Sequence, residues 1–351
     1  MSFDLSFYKG KKVLITGHTG FKGSWMSVML VNLGAKVIGY SLEPESEQNL
    51  FDICGVRGEI VHICGDVRNL DHLKDVFAKY QPEIVIHMAA QPLVRKSYED
   101  PVLTYSTNVM GTVNVLECIR LNLCVKSFLN VTTDKVYENR EFGKAFTETD
   151  PLDGYDPYSN SKSCSELVTH SYKKSFFSDR NTAISTARAG NVIGGGDFAR
   201  DRIIPDCVRA ALSGSDIVVR NPYSIRPYQH VLEPLYAYLM ILAAQFHDAG
   251  ISGYYNVGPD EYDCYTTGDL VDTFIECWDG DIKRVDQSDG GPHEAGFLKL
   301  DCAKLKTVFD WNPKWNLKTA IIKTVEWTKC YRDGNDIRKC MDSQIDEFIK
   351  A

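Results

Sequence analysis

The sequence has no excess of positive charge, no Cys-x-x-Cys pair, no long apolar run and no internal repeat, and each absence excludes something. Lys and Arg number 39 against 47 Asp and Glu, a formal net charge of -8. A nucleic-acid binder needs a basic face for the phosphate backbone, so that class is set aside. An acidic chain that takes an anionic small molecule must instead supply local arginines and helix N-termini. The eleven cysteines are odd in number and scattered, which fits neither a disulfide framework nor a zinc site. They read as reduced apolar fillers, and no metal is expected. Met1 to Lys12 lacks a signal peptide's apolar core. The most apolar later stretch, Val231 to Phe246, is too short to span a membrane and carries Glu233 and Pro234. A cytoplasmic protein without a membrane partner is the expectation.

What is present is alternation. Short apolar runs at Val13 to Thr16, Lys36 to Tyr40, Glu59 to Ile63, Glu83 to His87, Ser127 to Thr132 and Thr182 to Arg188 read as strands. Between them, Phe21 to Leu33, Leu70 to Lys79, Thr104 to Leu121 and Tyr158 to Phe177 read as helices. Apolar runs without a period of two suit strands buried on both faces. Strand and helix taking turns implies right-handed crossovers and a doubly wound parallel sheet of the Rossmann class, an α/β fold. After Arg188 the rhythm breaks into Gly, Pro, Arg and Asn. Residues 1–190 are therefore assigned to the sheet domain, with a returning segment near 228–249. Residues 191–227 and 250–351 form a smaller, interleaved C-terminal substrate domain.

The first strand stops at Gly17-His18-Thr19-Gly20-Phe21-Lys22-Gly23, which also opens the first helix. The spacing departs from G-x-G-x-x-G, but the requirements are the same: a tight turn, close backbone approach to a pyrophosphate, and a helix N-terminus whose dipole favours phosphate. A dinucleotide is expected there. Asp66, after the third strand, is a candidate partner for the adenine. The acid that usually ends the second strand and bonds the ribose is missing, since Gly39-Tyr40-Ser41 occupies that place with Glu43 beyond. No basic residue adjoins it to greet a 2′-phosphate, which favours NAD.

Tyr158 and Lys162 stand four residues apart, on one face of a helix. An ammonium lowers a nearby phenol's pKa, which would make the tyrosine a usable base. The spacing alone carries little, because Tyr8 and Lys12 share it. Thr132-Thr133-Asp134-Lys135, at the C-terminal end of the fifth strand, gives the pair its context, because open α/β sheets bind ligands at that edge.

The glycine turn, His87-Met88-Ala89-Ala90, Asn108-Val109-x-Gly111-Thr112, Thr133 and Tyr158-x-x-x-Lys162 together resemble the extended short-chain dehydrogenases that modify nucleotide sugars. Longer segments narrow the resemblance to the family's CDP-glucose 4,6-dehydratases. These are GHTGFKGSW (17–25), AQPLV (90–94), TTDKVY (132–137), GGGD (194–197) with RIIPD (202–206), and RPYQHVLEP (226–234). The resemblance implies NAD held by Gly17, Thr19, Gly20, Phe21, Lys22, Gly23, Ser41, Asp66, Val67, Ala89, Ala90, Asn108, Tyr158 and Lys162. It implies a nucleotide-sugar substrate, CDP-glucose, contacted by Gln91, Asn191, Arg202, Arg226 and Asn256.

The implied reaction oxidises C4, eliminates water across C5 and C6 and returns hydride to C6. Tyr158, Lys162 and Thr133 would serve the first step, and Asp134 would be the acid for water loss. Related dTDP-glucose dehydratases carry Asp-Glu where this chain has Asp134-Lys135, which makes Lys135 the candidate C5 base, provided it is neutral. A nucleotide-sugar 4-epimerase would share the Tyr/Lys pair without the Asp-Lys couple, and an NAD(H)-sensing regulator would keep the turn but lose the catalytic residues. The resemblance also implies a homodimer through a four-helix bundle built from the helices near Thr104 to Leu121 and Tyr158 to Phe177, and a role in bacterial surface-polysaccharide 3,6-dideoxyhexoses.

Overall fold

The computed structural model describes residues 3–140, 143–287, 290 and 296–351. Its centre is a seven-stranded, wholly parallel sheet: β1 (Lys12–Thr16), β2 (Lys36–Ser41), β3 (Val61–Cys64), β4 (Ile84–His87), β5 (Ser127–Val131), β6 (Ala183–Ala189) and β7 (Tyr254–Val257). The spatial order is β7-β6-β5-β4-β1-β2-β3. Every residue of β4, β5 and β6 is buried, as expected of runs without polar alternation. The order reverses between β1 and β4, where Thr16 pairs with both Tyr40 and His87, the point at which sheets of this kind bind ligands.

Helices cover both faces. Trp25, Met26 and Leu30 of Phe21–Asn32 share one core with Leu235, Leu239 and Leu242 of Leu232–His247. On the other face, Leu73 and Phe77 of Leu70–Tyr80 pack with Val115, Leu116 and Ile119 of Gly111–Leu121. Each such side chain contributes about 1.5–3 kcal/mol by leaving water. Gln245, buried in the helix Leu232–His247, donates to the Phe128 carbonyl (3.0 Å) and accepts from Ser185 Oγ (2.5 Å), so its amide is satisfied against the sheet. A third core, including Ile204, Cys207, Leu270, Phe274 and Ile321, lies within residues 193–325, beginning at the short strand Val192–Ile193 just after β6.

Three elements differ from the sequence reading. The third strand is Val61–Cys64, because the turn Val56–Gly58 takes up the residues before it. The long helical stretch starts earlier, at Pro101, since Asp100 accepts from Leu103 N as N-cap and Pro101 fits the first helical position. Tyr254–Val257 joins β6 as a seventh strand, although its surroundings lack the alternation that revealed the others. Among the described residues no helix is long and apolar enough to cross a membrane.

Candidate active site

A cavity of about 770 Å³ opens beyond the ends of β5 and β6. Thr133, Asp134, Lys135, Tyr158, Asn191, Arg202 and Arg226 all line it. Chain geometry brings the first four together. After β5 the backbone enters a short turn, Asp134–Val136, capped by Thr133, whose Oγ1 also donates to Asp134 Oδ1 (2.9 Å). Asp134 is fully buried; its Oδ1 also accepts from Lys135 Nζ (3.3 Å), while Oδ2 has no partner among the described residues. Lys135 Nζ donates as well to Asn191 Oδ1 (3.1 Å). Opposite, the helix Pro157–Phe176 starts with Asp156 accepting from Ser159 N (3.0 Å) and Ser159 Oγ (2.5 Å), with Pro157 in the first turn. That cap fixes Tyr158 against the cavity, hydrogen-bonded to Thr133.

Electrostatics corrects one expectation. Burial pushes the Tyr158 phenol up to about 12, and the bond from Thr133 and the charge of Arg202 only partly oppose it. The Lys162 Nζ donates to the Val131 carbonyl (3.1 Å), and burial lowers its ammonium to about 8. In this structure desolvation outweighs the ammonium's pull.

The cavity wall is cationic although the chain is acidic. Eight Lys and Arg side chains line it against five Asp and Glu. Arg202 is anchored by Asp197 (3.0 Å) and Arg220 by Asp206 (3.1 Å), so both forks are held in place before any ligand arrives.

At the glycine turn, a Cβ on Gly23 would stand 2.1 Å from the Gly17 carbonyl oxygen, and one on Gly17, at φ +78°, would stand 2.7 Å from Ala89 N. The turn is therefore closed as tightly as backbone allows, with Ala89 and Ala90 beside it and Ala89 N donating to Thr16 Oγ1 (3.2 Å). Gly20 is the N-cap of the following helix and no side chain caps it, so the first-turn amides face outward at Phe21, Lys22 and Gly23. Thr19 Oγ1 and Ser41 Oγ lie 2.9 Å apart at the end of β2. Val67 is buried against Gly111. These groups fit a dinucleotide pyrophosphate at a helix N-terminus.

Gln91 and Asn256, expected at the substrate, and Asn108 and Asp66, expected at the dinucleotide, instead spend their side-chain groups within the protein. Asn256, fully buried, gives its Oδ1 to Tyr137 Oη (2.5 Å) and its Nδ2 to the Phe146 and Asp301 carbonyls. Its amide is spent on the edge of the sheet, not on a phosphate. Gln91 turns inward, its Nε2 donating to Thr104 Oγ1 (2.9 Å) and its Oε1 accepting from Leu93 N (2.8 Å). Asn108 clamps the Gln91 backbone from both sides and donates to Ser161 Oγ (2.9 Å), holding the loop after β4 to the Tyr158 helix. Asp66 is paired with Arg68 (2.5 Å), so its carboxylate is already engaged.

The sequence matches the family described as GDP-mannose 4,6 dehydratase over residues 14–324. The chain belongs to this dehydratase family. It is 44% identical, over 99% of its length and 99% of the relative's, to a CDP-glucose 4,6-dehydratase of Salmonella typhimurium. A dTDP-glucose 4,6-dehydratase of Xanthomonas campestris is 27% identical over 90% of this chain and 92% of its own. A dTDP-glucose 4,6-dehydratase from Bacillus anthracis, solved in complex with NAD, has the same fold: TM-score 0.77, 24% identity, covering 93% of this chain and 99% of that one.

Within the GDP-mannose 4,6 dehydratase family fold, one cluster of this chain escaped the sequence reading, and Lys22, expected at the cofactor, lies in the cavity. Arg57 and His62 both reach Glu43 (2.9 and 2.8 Å), so a cation does stand beyond the second strand, neutralised by Glu43 and Asp52. His18 closes the same cluster, 2.7 Å from His62, with its ring against Gly39. No periodicity signals contacts between loops 14 to 44 residues apart. Lys22 lines the cavity, and burial with the charges of Arg202, Lys162 and Lys135 lowers its ammonium to about 7.

Proposed function

We propose that this protein is a CDP-glucose 4,6-dehydratase that converts CDP-glucose to its 4-keto-6-deoxy product. The observation that carries the reading is one cavity wall holding Thr133, Asp134, Lys135 and Tyr158 beside anchored arginines. Bound at the glycine turn, NAD supplies the acceptor for the C4 hydride and its later return to C6. Tyr158 takes the proton of the sugar 4-OH, and Thr133 shares that hydrogen bond. The phenol's high setting in the free protein means that the positive charges gathered in the complex must bring it down. With C4 a ketone, the C5 hydrogen is acidic. Lys135 lies one residue from the acid and is the group offered to remove it, once its bonds to Asp134 and Asn191 open. Asp134, whose Oδ2 is buried and unpartnered, protonates the departing 6-OH.

Arg202 and Arg226 would hold the pyrophosphate, which favours assigning 191–227 to the nucleotide sugar, while Tyr254–Val257 joins the sheet of 1–190 and 228–249 that would take the dinucleotide. Exposed Val102, Met110, Leu167 and Phe176 on the helical stretch 101–121 and on Pro157–Phe176 favour a homodimer through a four-helix bundle, and we place its work in the cytoplasm. Supply of 3,6-dideoxyhexoses to surface polysaccharide is the setting in which such a product is consumed.

A 4-epimerase needs no acid at position 134, and a sensor needs no Tyr158. Incubation with CDP-, dTDP-, UDP- and GDP-hexoses, followed by mass spectrometry, separates these readings. Loss of one water from the CDP-sugar is expected; loss from another nucleotide sugar alone, or none, overturns the assignment.

A further inference from the structure

One buried ion pair brackets the acid–base segment. Glu166 lies one turn beyond Lys162 and is completely buried. Its Oε1 accepts from Thr132 Oγ1 (2.5 Å), and its Oε2 from Thr186 Oγ1 (2.8 Å) and Arg188 Nη2 (2.9 Å), with His170 Nε2 at 3.2 Å. Arg188, on β6 and equally buried, donates through Nη1 to Tyr137 Oη (2.9 Å) and to the Glu148 carbonyl (3.2 Å). Thr132 immediately precedes Thr133, and Tyr137 immediately follows the turn Asp134–Val136. The three residues Thr133, Asp134 and Lys135 are thus fixed at both ends by one carboxylate–guanidinium pair, whose other end sits on the Tyr158 helix.

Stability does not by itself account for such a pair, since apolar replacements of buried ion pairs are often neutral or better. The charged groups facing Lys162 point to a second purpose. They are Glu166 on its own helix, His87 at the end of β4 and Lys22 at the start of the helix after β1. Burial opposes the charge of Lys162, Glu166 favours it, and His87 is held neutral beside it. Around Glu166 itself stand Arg188 and His170, with Tyr137 and Tyr254 feeling its negative charge.

We infer that Glu166, with Arg188, is a positioning residue for the dehydration: it aligns Thr133–Lys135 with Tyr158 and sustains the charge of Lys162. The inference rests on the dehydratase reading for its kinetic part only. Lys162 already stands near 8, so loss of the Glu166 charge moves it further down. A double variant, E166M/R188M, removes both charges without stranding either. Lys162 is then titrated in the free protein by ¹³C NMR of Cε-labelled lysine, assigned with K162R.

The expected result is a midpoint lower by about one pH unit. In turnover, the alkaline limb should move the same way and kcat should fall about tenfold, with KM within about twofold. T132V keeps the ion pair and breaks one end of the bracket; kcat should fall severalfold while Lys162 titrates as in the wild type. E166D should restore the wild-type midpoint. A double variant with Lys162 and the alkaline limb unmoved overturns the inference. If that variant does not fold, wild-type kcat in T132V does so instead. The titration uses no substrate, so a wild type that dehydrates no nucleotide sugar would refute the functional reading and leave this one standing.

Discussion

Lys135 carries the sharpest question at the scale of single residues. It is an ion-pair partner of Asp134 and a donor to Asn191, and its neighbour Asp134 keeps one oxygen free. If Lys135 is the C5 base, Lys135→Met should leave C4 oxidation intact while C5 proton exchange and water loss fall by about 10²–10⁴. Turnover in deuterated water, with mass analysis of C5 deuterium and borodeuteride trapping of the 4-ketone, reads the two steps separately. Wild-type exchange in that variant would assign Lys135 to electrostatic support of the C4 oxygen instead. Motif spacing made Thr133, Asp134, Lys135 and Tyr158 legible, the family resemblance added Asn191, Arg202 and Arg226, and all seven line one cavity. The inward turn of Asn256, Gln91 and Asn108 was not legible. A buried amide and a ligand-binding amide look alike in a sequence, and only the positions of their partners, Tyr137, Thr104 and Ser161, distinguish them.

Among the elements, the glycine turn tolerates least. Gly23→Ala would place a methyl group 2.1 Å from the Gly17 carbonyl oxygen, backbone against backbone, where no side chain can yield. The helix Phe21–Asn32 must then tilt away from β1, carrying its first-turn amides out of line. A loss of NAD affinity of at least about tenfold is expected by isothermal titration, with CD-detected secondary structure retained. Unchanged affinity would mean that phosphate is held elsewhere than at this helix start. Buried apolar runs and turn residues made β1, β2 and β4 to β6 plain. β7 was missed because Tyr254–Val257 follows a helix and a Gly-Ser turn with no glycine-rich ligand loop after it, so its pairing with β6 depends on long-range contact. The start of the helical stretch at Pro101 was also misplaced, although Asp100-Pro101 is a cap signal the sequence contains.

For the whole molecule, the buried titratable groups set an opposed pH balance. Burial holds His18, His87 and His230 neutral, each lowered to about 3. A lowered histidine contributes stability that is full above about 6.5, its unfolded value, and is lost as pH falls towards 3. Burial also raises Glu233 to about 7 and Asp263 to about 6. A raised carboxyl works the other way: its contribution is full below the unfolded value near 4 and is lost as pH rises through the folded one. At pH 5.5 the unfolded chain gains nearly three histidine protons but gives up nearly two from the carboxyls. The net is about one proton, so stability should climb by roughly 1.4 kcal/mol per pH unit there, and it should go on rising above pH 7, where Lys22 and Lys162, lowered to about 7 and about 8, shed protons in the folded state first. Glu233→Gln removes one opposing proton, so the slope near pH 5.5 should rise to about 3 kcal/mol per unit. The Glu233 amide oxygen can still accept from Lys314 N and Trp315 N, which keeps the fold comparable. Urea unfolding at half-unit steps from pH 5 to 8 measures both slopes. Equal slopes in the two proteins would show that Glu233 is ionised in the native state and that its burial is relieved by solvent.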